Sequence, residues 1–366
     1  MTPPASPAPA PAPAAGALAC PACGAATVAG DRFCEACGAD LPVTTAAAPA
    51  AAAATSADPA PAPTPQPEQP EPDYAADLAP PGPPCASCGA DWTQIQDRYC
   101  GVCGMKQPAP RDHIEVSCEG VAAVTDRGRR HHRNEDAFAL RATDGLPVVA
   151  VVCDGVSTTV DPGLASQGAA DAALAVLAGG GDLNAAHAAA QAAAVAVTDV
   201  PPPPDLGWPS CTFLAGVVHG NVVHLGALGD CRSFWLPEAG EAVTLTEDDS
   251  WAAEQISSGA MSPADAYRSP LAHTITRWLG RDADPGWAPR LSEFRPGGPG
   301  RLVLCSDGLW NYAEQAADVA AAAAGEGDAL QVARRLTDFA NAQGGRDNVT
   351  VVVIEMKGPN TMKESS

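Results

Sequence analysis

Two sets of residues in this sequence have the types and spacing for chemistry, and in both that chemistry is metal binding. The first set is acidic. The strings RHHRNEDAF, VVCDGVS, LCSDGLW and GGRDNVTVVV carry Asp136, Asp154, Asp307 and Asp347. Asp154, Asp307 and Asp347 stand at the expected end of an apolar strand or in the turn beside it, and the first two are followed by glycine. Taken singly, each has a plain structural reading. Asp-Gly is a common turn pair, Asp347-Asn348 suits a loop into a strand, and Asp136 suits a helix N-cap or a surface charge. Projecting together into one cleft, they become a ligand set. Carboxylates, backbone carbonyls and waters are the ligands that Mg2+ and Mn2+ take, and glycine beside a carboxylate lets a carbonyl or a water approach closely. Two such ions held close together can activate a water and clamp a phosphoryl oxygen.

The second set is thiols. Of thirteen cysteines, eight form four CxxC pairs. Cys20-x-x-Cys23-Gly is followed, after ten residues, by Cys34-x-x-Cys37-Gly, and Cys85-x-x-Cys88-Gly, after eleven, by Cys100-x-x-Cys103-Gly. Each CxxCG is a tight knuckle, and two knuckles bring four thiolates to tetrahedral reach, which suits Zn2+. Iron in a similar site is the minor alternative. A unit this small has no core of its own, so metal binding drives its folding. No βαβ pattern surrounds the pairs, which disfavours a redox role. Of the other five, Cys153, Cys211, Cys231 and Cys305 sit in apolar contexts and read as buried small hydrophobes rather than nucleophiles.

The elements that must position these residues follow from the pattern of the chain. Residues 1–19 and 42–84 are Pro/Ala-rich, a tail and a semi-rigid linker, flanking ribbon 1 (20–41); ribbon 2 is 85–107. From residue 113 to 357 the composition changes, and the tail 358–366 is expected to be disordered. IEVSCEGVAAVTD and LPVVAVVCDG read as strands, 164–178 and 184–199 as Ala-rich helices, the second broken by PPPPD. Two apolar runs around His219-Gly220-Asn221 read as a hairpin, a further turn is expected at 237–240, helices at 313–323 and 328–342, and a closing strand in NVTVVVIEM. Strand clusters interrupted by helix pairs imply an α+β domain with sheet packed on sheet.

Composition bounds the partners. The formal net charge of −22 has the sign of a phosphate backbone, and only Arg32, Arg98 and Lys106 stand near the cysteine clusters, so nucleic acid is disfavoured. No run of about 18 unbroken apolar residues is present, and the start lacks the basic region of a signal peptide. With CxxC pairs suited to a reducing compartment, the expectation is a cytoplasmic protein.

Taken together and in order, TDRGRRHHRNEDAF, VVCDGVS, LGALGDCRSF, LTEDDSW, LVLCSDGLW and GGRDNVTVVV resemble the type-2C metal-dependent protein serine/threonine phosphatases over residues 114–356. The resemblance implies a central sandwich of two antiparallel sheets flanked by helices, with a binuclear Mn2+ or Mg2+ site at one end. By position Asp154 matches the bridging ligand, the Gly155 carbonyl a backbone ligand, and Asp307 and Asp347 the ligands of the other metal. Asp136 matches a position acting mainly through water, with Glu135 a comparable second candidate. Asp230 matches a ligand of an optional third ion, its bland reading being a hairpin-end carboxylate. The implied reaction is direct attack of a water on phosphoserine or phosphothreonine. The implied partners are phosphorylated proteins, among them a serine/threonine kinase and its substrates, with the ribbons as protein-docking modules or as two ribbons packed together.

The sequence departs from the family in one telling place. Where the family carries a phosphate-binding arginine, His131 stands, with Arg129, Arg130 and Arg133 around it. His131 is the positional match and Arg133 the backup. An arginine fork is always charged and bidentate, whereas histidine titrates near neutral. This leaves room for an alternative reading, a weakly active pseudophosphatase acting as an interaction protein. Two smaller departures are Val156-Ser157-Thr158 after Asp154-Gly155, and the insertion between LTEDDSW and LVLCSDG, which matches a mobile flap in the family.

Overall fold

A computed structural model describes residues 18–19, 26–27, 83–96, 98–105 and 107–358. Ribbon 1 with Cys20, Cys23, Cys34 and Cys37, nearly all of both Pro/Ala segments, Lys106 and the tail from residue 359 lie outside the described residues. The chain divides into two units, Met1–Asp77 and Leu78–Ser366. In the first, β1 (Leu18–Ala19) pairs antiparallel with β2 (Ala26–Thr27).

The second unit opens with the small hairpin β3 (Ile95–Gln96) and β4 (Tyr99–Cys100). The sandwich follows. One sheet holds β5 (His113–Cys118), β6 (Val121–Asp126), β12 (Arg232–Pro237), β13 (Val243–Thr244), β16 (Gly300–Cys305) and β17 (Val349–Met356), in the order β13-β12-β16-β17-β6-β5. The other holds β7 (Ala137–Arg141), β8 (Val148–Cys153), β10 (Phe213–His219), β11 (Val222–Leu228) and β15 (Arg290–Phe294), in the order β15-β11-β10-β8-β7. A short pair, β9 (Ser210–Cys211) with β14 (Leu279–Gly280), lies beside them. Every pairing is antiparallel.

Successive side chains of a strand point to opposite faces, and here both faces are covered. Val121, Ala123, Val352 and Ile354 meet Ala150, Val152, Leu214 and Leu225 between the sheets. The alternate residues Val124, Val303, Val351 and Val353 pack under α6 (Ala316–Ala323) and α7 (Ala329–Ala342). Val149, Val151, Phe213 and Ala215 pack under α1 (Pro162–Ala178) and α2 (Leu183–Val195). Burial on both faces is why VVAVV and VTVVVI are continuous apolar runs rather than alternating ones. The result is a four-layer arrangement, helices–sheet–sheet–helices, the α+β sandwich expected from the sequence.

Several local expectations need correction. IEVSCEGVAAVTD is not one strand but the hairpin β5–β6, which turns at Gly120, where φ is +71°. The second Ala-rich helix ends at Val195, ahead of the proline run. The helix expected from residue 313 starts at Ala316, and the turn expected at Asp307-Gly308 is a short helix, α5 (Asp307–Trp310). The insertion after LTEDDSW contains α3 (Trp251–Ser257) and α4 (Pro263–Ala266). No helix among the described residues is long and apolar enough to cross a membrane.

Candidate metal centre

The two sheets deliver the acidic residues to one end of the sandwich. Asp154 follows the last residue of β8, Asp136 immediately precedes β7, Asp307 opens α5 just beyond β16, Asp347 stands two residues before β17, and Asp230 sits between β11 and β12. Asp154 is bracketed by Thr212: its N–H donates to Thr212 Oγ1 at 2.9 Å, and its carbonyl accepts from the Thr212 N–H at 2.8 Å. Gly155 pairs with Cys211 in an isolated bridge, and any side chain there would meet the Glu135 carbonyl at 2.7 Å. Gly308 is needed for a similar reason. A Cβ on it would lie 1.8 Å from the Asn348 carbonyl, so only glycine lets α5 close onto the start of β17.

The five aspartates form one electrostatic cluster. Asp136 is fully buried, and burial pushes its carboxyl up to about 6, against the pull of hydrogen bonds from Ser306 and Thr350. Burial, followed by the neighbouring Asp248 charge, pushes Asp230 up to about 7. Asp154 is held well above the usual carboxylate range by desolvation and then by Asp136, Asp307, Asp347 and Asp230. Asp307 is raised likewise by desolvation and by Asp230, Asp347 and Asp136. Ser306 Oγ and Thr350 Oγ1 donate to Asp136 Oδ2 at 2.7 and 2.8 Å, while Asp136 Oδ1 and Asp307 Oδ1 are buried with no hydrogen-bond partner. Crowded carboxylates that repel one another and leave oxygens unsatisfied are a donor set suited to hard divalent cations. Glu135 differs: its carboxylate accepts from Arg133 Nε at 2.6 Å and from Ser157 Oγ at 2.6 Å, so it is occupied outside the cluster.

Three residues that sequence reasoning did not single out hold this arrangement together. Asn348 Oδ1 accepts from the Glu135 N–H at 2.7 Å, and its Nδ2 donates to the Arg127 and Arg133 carbonyls, stitching the RNED string to the start of β17. Asp248 grips Arg232 with two hydrogen bonds of 2.9 and 2.6 Å. Arg232 lies 3.7 Å over the Trp310 ring, and Trp310 Nε1 donates to the Asp230 carbonyl at 2.8 Å. The third, Asp249, accepts from the Gly229 N–H and pairs with Arg290. The LTEDDSW string was the available signal for the two aspartates. For Asn348 the signal was its place beside Asp347.

The residues expected to bind phosphate are both engaged. His131 Nε2 lies 3.1 Å from Asp347 Oδ1, facing the cluster, and its carbonyl accepts from Arg127 Nη1. Arg133 is half-exposed and paired to Glu135. Cys153, Cys211, Cys231 and Cys305 are buried.

In the second ribbon the four sulfurs of Cys85, Cys88, Cys100 and Cys103 lie within 4.8 Å of one another. Each knuckle repeats the same turn, with Gly89 and Gly104 both at φ +72° and donating to the Cys85 and Cys100 carbonyls. Gln107 Nε2 donates to Cys85 Sγ at 3.2 Å. Tyr99 is exposed.

Comparison with known proteins agrees with both halves. A double zinc ribbon family model matches residues 20–104. The serine/threonine protein phosphatase PstP of Mycobacterium tuberculosis is 34% identical over 243 residues, covering 64% of this chain and 44% of that protein. This chain thus spans less than half the length of that relative. The serine/threonine phosphatase stp of Listeria welshimeri is 26% identical over 255 residues, covering 63% of this chain and 93% of that protein. Among solved structures, the Mycobacterium tuberculosis PstP/Ppp phosphatase superposes with a TM-score of 0.52 at 29% identity, covering 65% of this chain and 98% of the other. Fold, motif order and relatives converge: the sandwich region of this chain has the fold of the type-2C serine/threonine protein phosphatases and is similar to them in sequence.

Proposed function

We propose that the chain is a metal-dependent protein phosphatase that hydrolyses phosphoserine and phosphothreonine. The observation that carries the reading is the cluster of five aspartates at one end of the sandwich, in which Asp136 and Asp307 keep a buried carboxylate oxygen without a hydrogen-bond partner. In this reading Asp154, the Gly155 carbonyl, Asp307 and Asp347 hold two Mn2+ or Mg2+ ions, Asp136 supports them through water, and Asp230 completes an optional third site. The ions supply charge neutralisation on the phosphoryl group and acidify the attacking water. The protein's own part is to crowd the carboxylates together and aim them. Ser306 and Thr350 orient Asp136, Thr212 orients Asp154, and Asn348 ties the Asp136 and Asp347 loops together. His131, next to Asp347, is placed to orient substrate phosphate, with Arg133 further out. The second ribbon holds Zn2+ through Cys85, Cys88, Cys100 and Cys103, and ribbon 1 does so through Cys20, Cys23, Cys34 and Cys37. The natural substrates are phosphoproteins of kinase signalling in the cytoplasm, with the ribbons contributing to partner choice.

The test is phosphate release from a phosphothreonine peptide by the full chain with Mn2+, beside Asp154→Ala and Asp307→Ala. The expected result is Mn2+-dependent release that both variants lose by at least about a hundredfold. Release by the variants at the native rate would overturn the assignment of the site. No release by the native chain would favour the pseudophosphatase reading, for which His131 in place of arginine is the motive.

A further inference from the structure

Beside the acidic cluster, where the second ribbon meets the sandwich, lies a cavity of about 210 Å³ with three guanidinium groups in its wall. Arg98 comes from the β3–β4 hairpin of the ribbon, Arg111 from the segment leading into β5, and Arg133 from the RNED string; Asp112, Asn134 and Asp161 complete the polar lining. Two of the arginines are only partly spoken for. Arg111 donates from Nη2 to the Asp136 carbonyl at 3.1 Å, forms no ion pair among the described residues, and has a buried Nε without a hydrogen-bond partner. Burial lowers its pKa, against the pull of Asp136 and Asp171. Arg98 donates from Nη2 to the Gln107 carbonyl at 2.9 Å and shares Asp112 with Arg127, at 3.2 and 3.5 Å, and its buried Nε likewise has no hydrogen-bond partner. In a chain with a net charge of −22, three arginines against Asp112 and Asp161 leave this lining with a slight excess of positive charge.

We infer that this cavity is an anion subsite for substrate. It takes a second phosphoryl group of the peptide, on a residue flanking the one whose phosphate enters the acidic cluster, and the zinc ribbon supplies Arg98 to it. The inference rests on the phosphatase reading for the meaning of the site but not for its existence. Guanidinium forks pair with phosphate through two parallel hydrogen bonds, and such charge-assisted contacts are the stronger ones. Arg111 brings a guanidinium with no ion pair among the described residues, Arg133 is exposed enough to turn toward a ligand, and Arg98 makes the pocket depend on the ribbon being folded. The ribbon thereby gains a role in substrate choice rather than in tethering alone.

The experiment is fluorescence anisotropy with the full, zinc-replete chain and with Ca2+ in place of Mn2+, so that the acidic cluster is neutralised and can take the first phosphate. The probes are phosphothreonine peptides in which a second phosphoserine, or a glutamate in its place, is moved one position at a time along either side. At the position that reaches the cavity, the second phosphate is expected to tighten binding about tenfold. Glutamate is expected to give less, and the gain is expected to shrink with salt. Arg98→Gln should abolish the ratio between doubly and singly phosphorylated peptides, while Arg98→Lys should keep part of it. Equal affinities at every position in the native chain would overturn the subsite, and that comparison needs no variant. Equal gain from glutamate and phosphoserine would overturn its preference for phosphate. Mn2+-dependent hydrolysis, measured separately, distinguishes the two readings. Hydrolysis without a second-phosphate gain sinks only the subsite, and a gain without hydrolysis sinks only the phosphatase reading.

Discussion

Asn348 is the residue on which the acidic site leans most without carrying charge. One amide satisfies the Glu135 N–H and the carbonyls of Arg127 and Arg133, so Asn348→Ala leaves a buried donor and two acceptors open. The expected cost is about 1–3 kcal/mol, read as a lower melting temperature, together with a fall in Mn2+ affinity. A variant with native Mn2+ affinity would separate the amide from the site. The aspartates behave in the opposite way. Asp154 and Asp307 repel their neighbours in a desolvated place, so Asp154→Asn and Asp307→Asn should be more stable than the native chain without divalent ions. With about 2–4 °C of melting temperature per kcal/mol in a domain this size, the gain is measurable by calorimetry. Mn2+ should raise the native melting temperature and leave that of the variants nearly unmoved; stabilisation of all three alike would refute the placement of the ions. The aspartates were legible in the sequence because each stands beside a glycine or in a motif string. Ser306, Thr350 and Thr212 were not, because their roles come from partners across the sheets, far along the chain.

At the scale of elements, the strands buried on both faces announced themselves as apolar runs, whereas β15, with the sequence RLSEF, is mostly exposed and gave no such signal. The β5–β6 hairpin was read as one strand because nothing but Glu119-Gly120 interrupts it. That hairpin has an edge strand whose charges predict a pH response. Burial alone would lower His113, but hydrogen bonds with Asp126 and Glu115 outweigh it and the net shift is upward. Its stabilisation is therefore complete below the unfolded value of about 6.5 and fades as pH rises through the higher folded value. Glu115, hydrogen-bonded by Arg334 and then by His113, is lowered to about 2, so its contribution is present above about 4.3 and fades as pH falls toward 2. The stability difference between native chain and His113→Gln should thus be largest at mildly acidic pH and shrink toward pH 8. The pair is half-exposed, so the difference stays within about 1 kcal/mol; a difference growing with pH would contradict the hydrogen bonds. The Ala-rich helices make a sharper claim. α1 and α2 bury Ala165, Ala169, Ala173, Ala186, Ala190 and Ala194, which leaves no room between helix and sheet. Ala190→Leu should cost about 1–3 kcal/mol by overpacking, seen as a lower denaturant midpoint, and Ala188→Leu on the same helix, away from that buried stripe, should cost less.

For the whole molecule, zinc content is the quantity that joins the two ends of the chain. Zinc–sulfur bonds of about 2.3 Å in a tetrahedron place sulfurs about 3.8 Å apart. The Cys85–Cys103 and Cys88–Cys100 sulfur pairs both stand at 3.7 Å. That spacing is too long for a disulfide, whose sulfurs are about 2.05 Å apart, and it suits a shared ion. The same CxxCG knuckles recur at Cys20, Cys23, Cys34 and Cys37, and the double-ribbon family model covers both. Elemental analysis of the purified chain should therefore find two zinc ions per chain, one in Cys88→Ser, one in Cys23→Ser, and none in the double variant. Because Arg98 of the second ribbon pairs with Asp112 at the entry to β5, loss of that zinc should also lower the melting temperature of the sandwich. A single zinc in the native chain, shared between the two quartets, would require both variants to lose it together, and that result would replace two independent ribbons with one composite site.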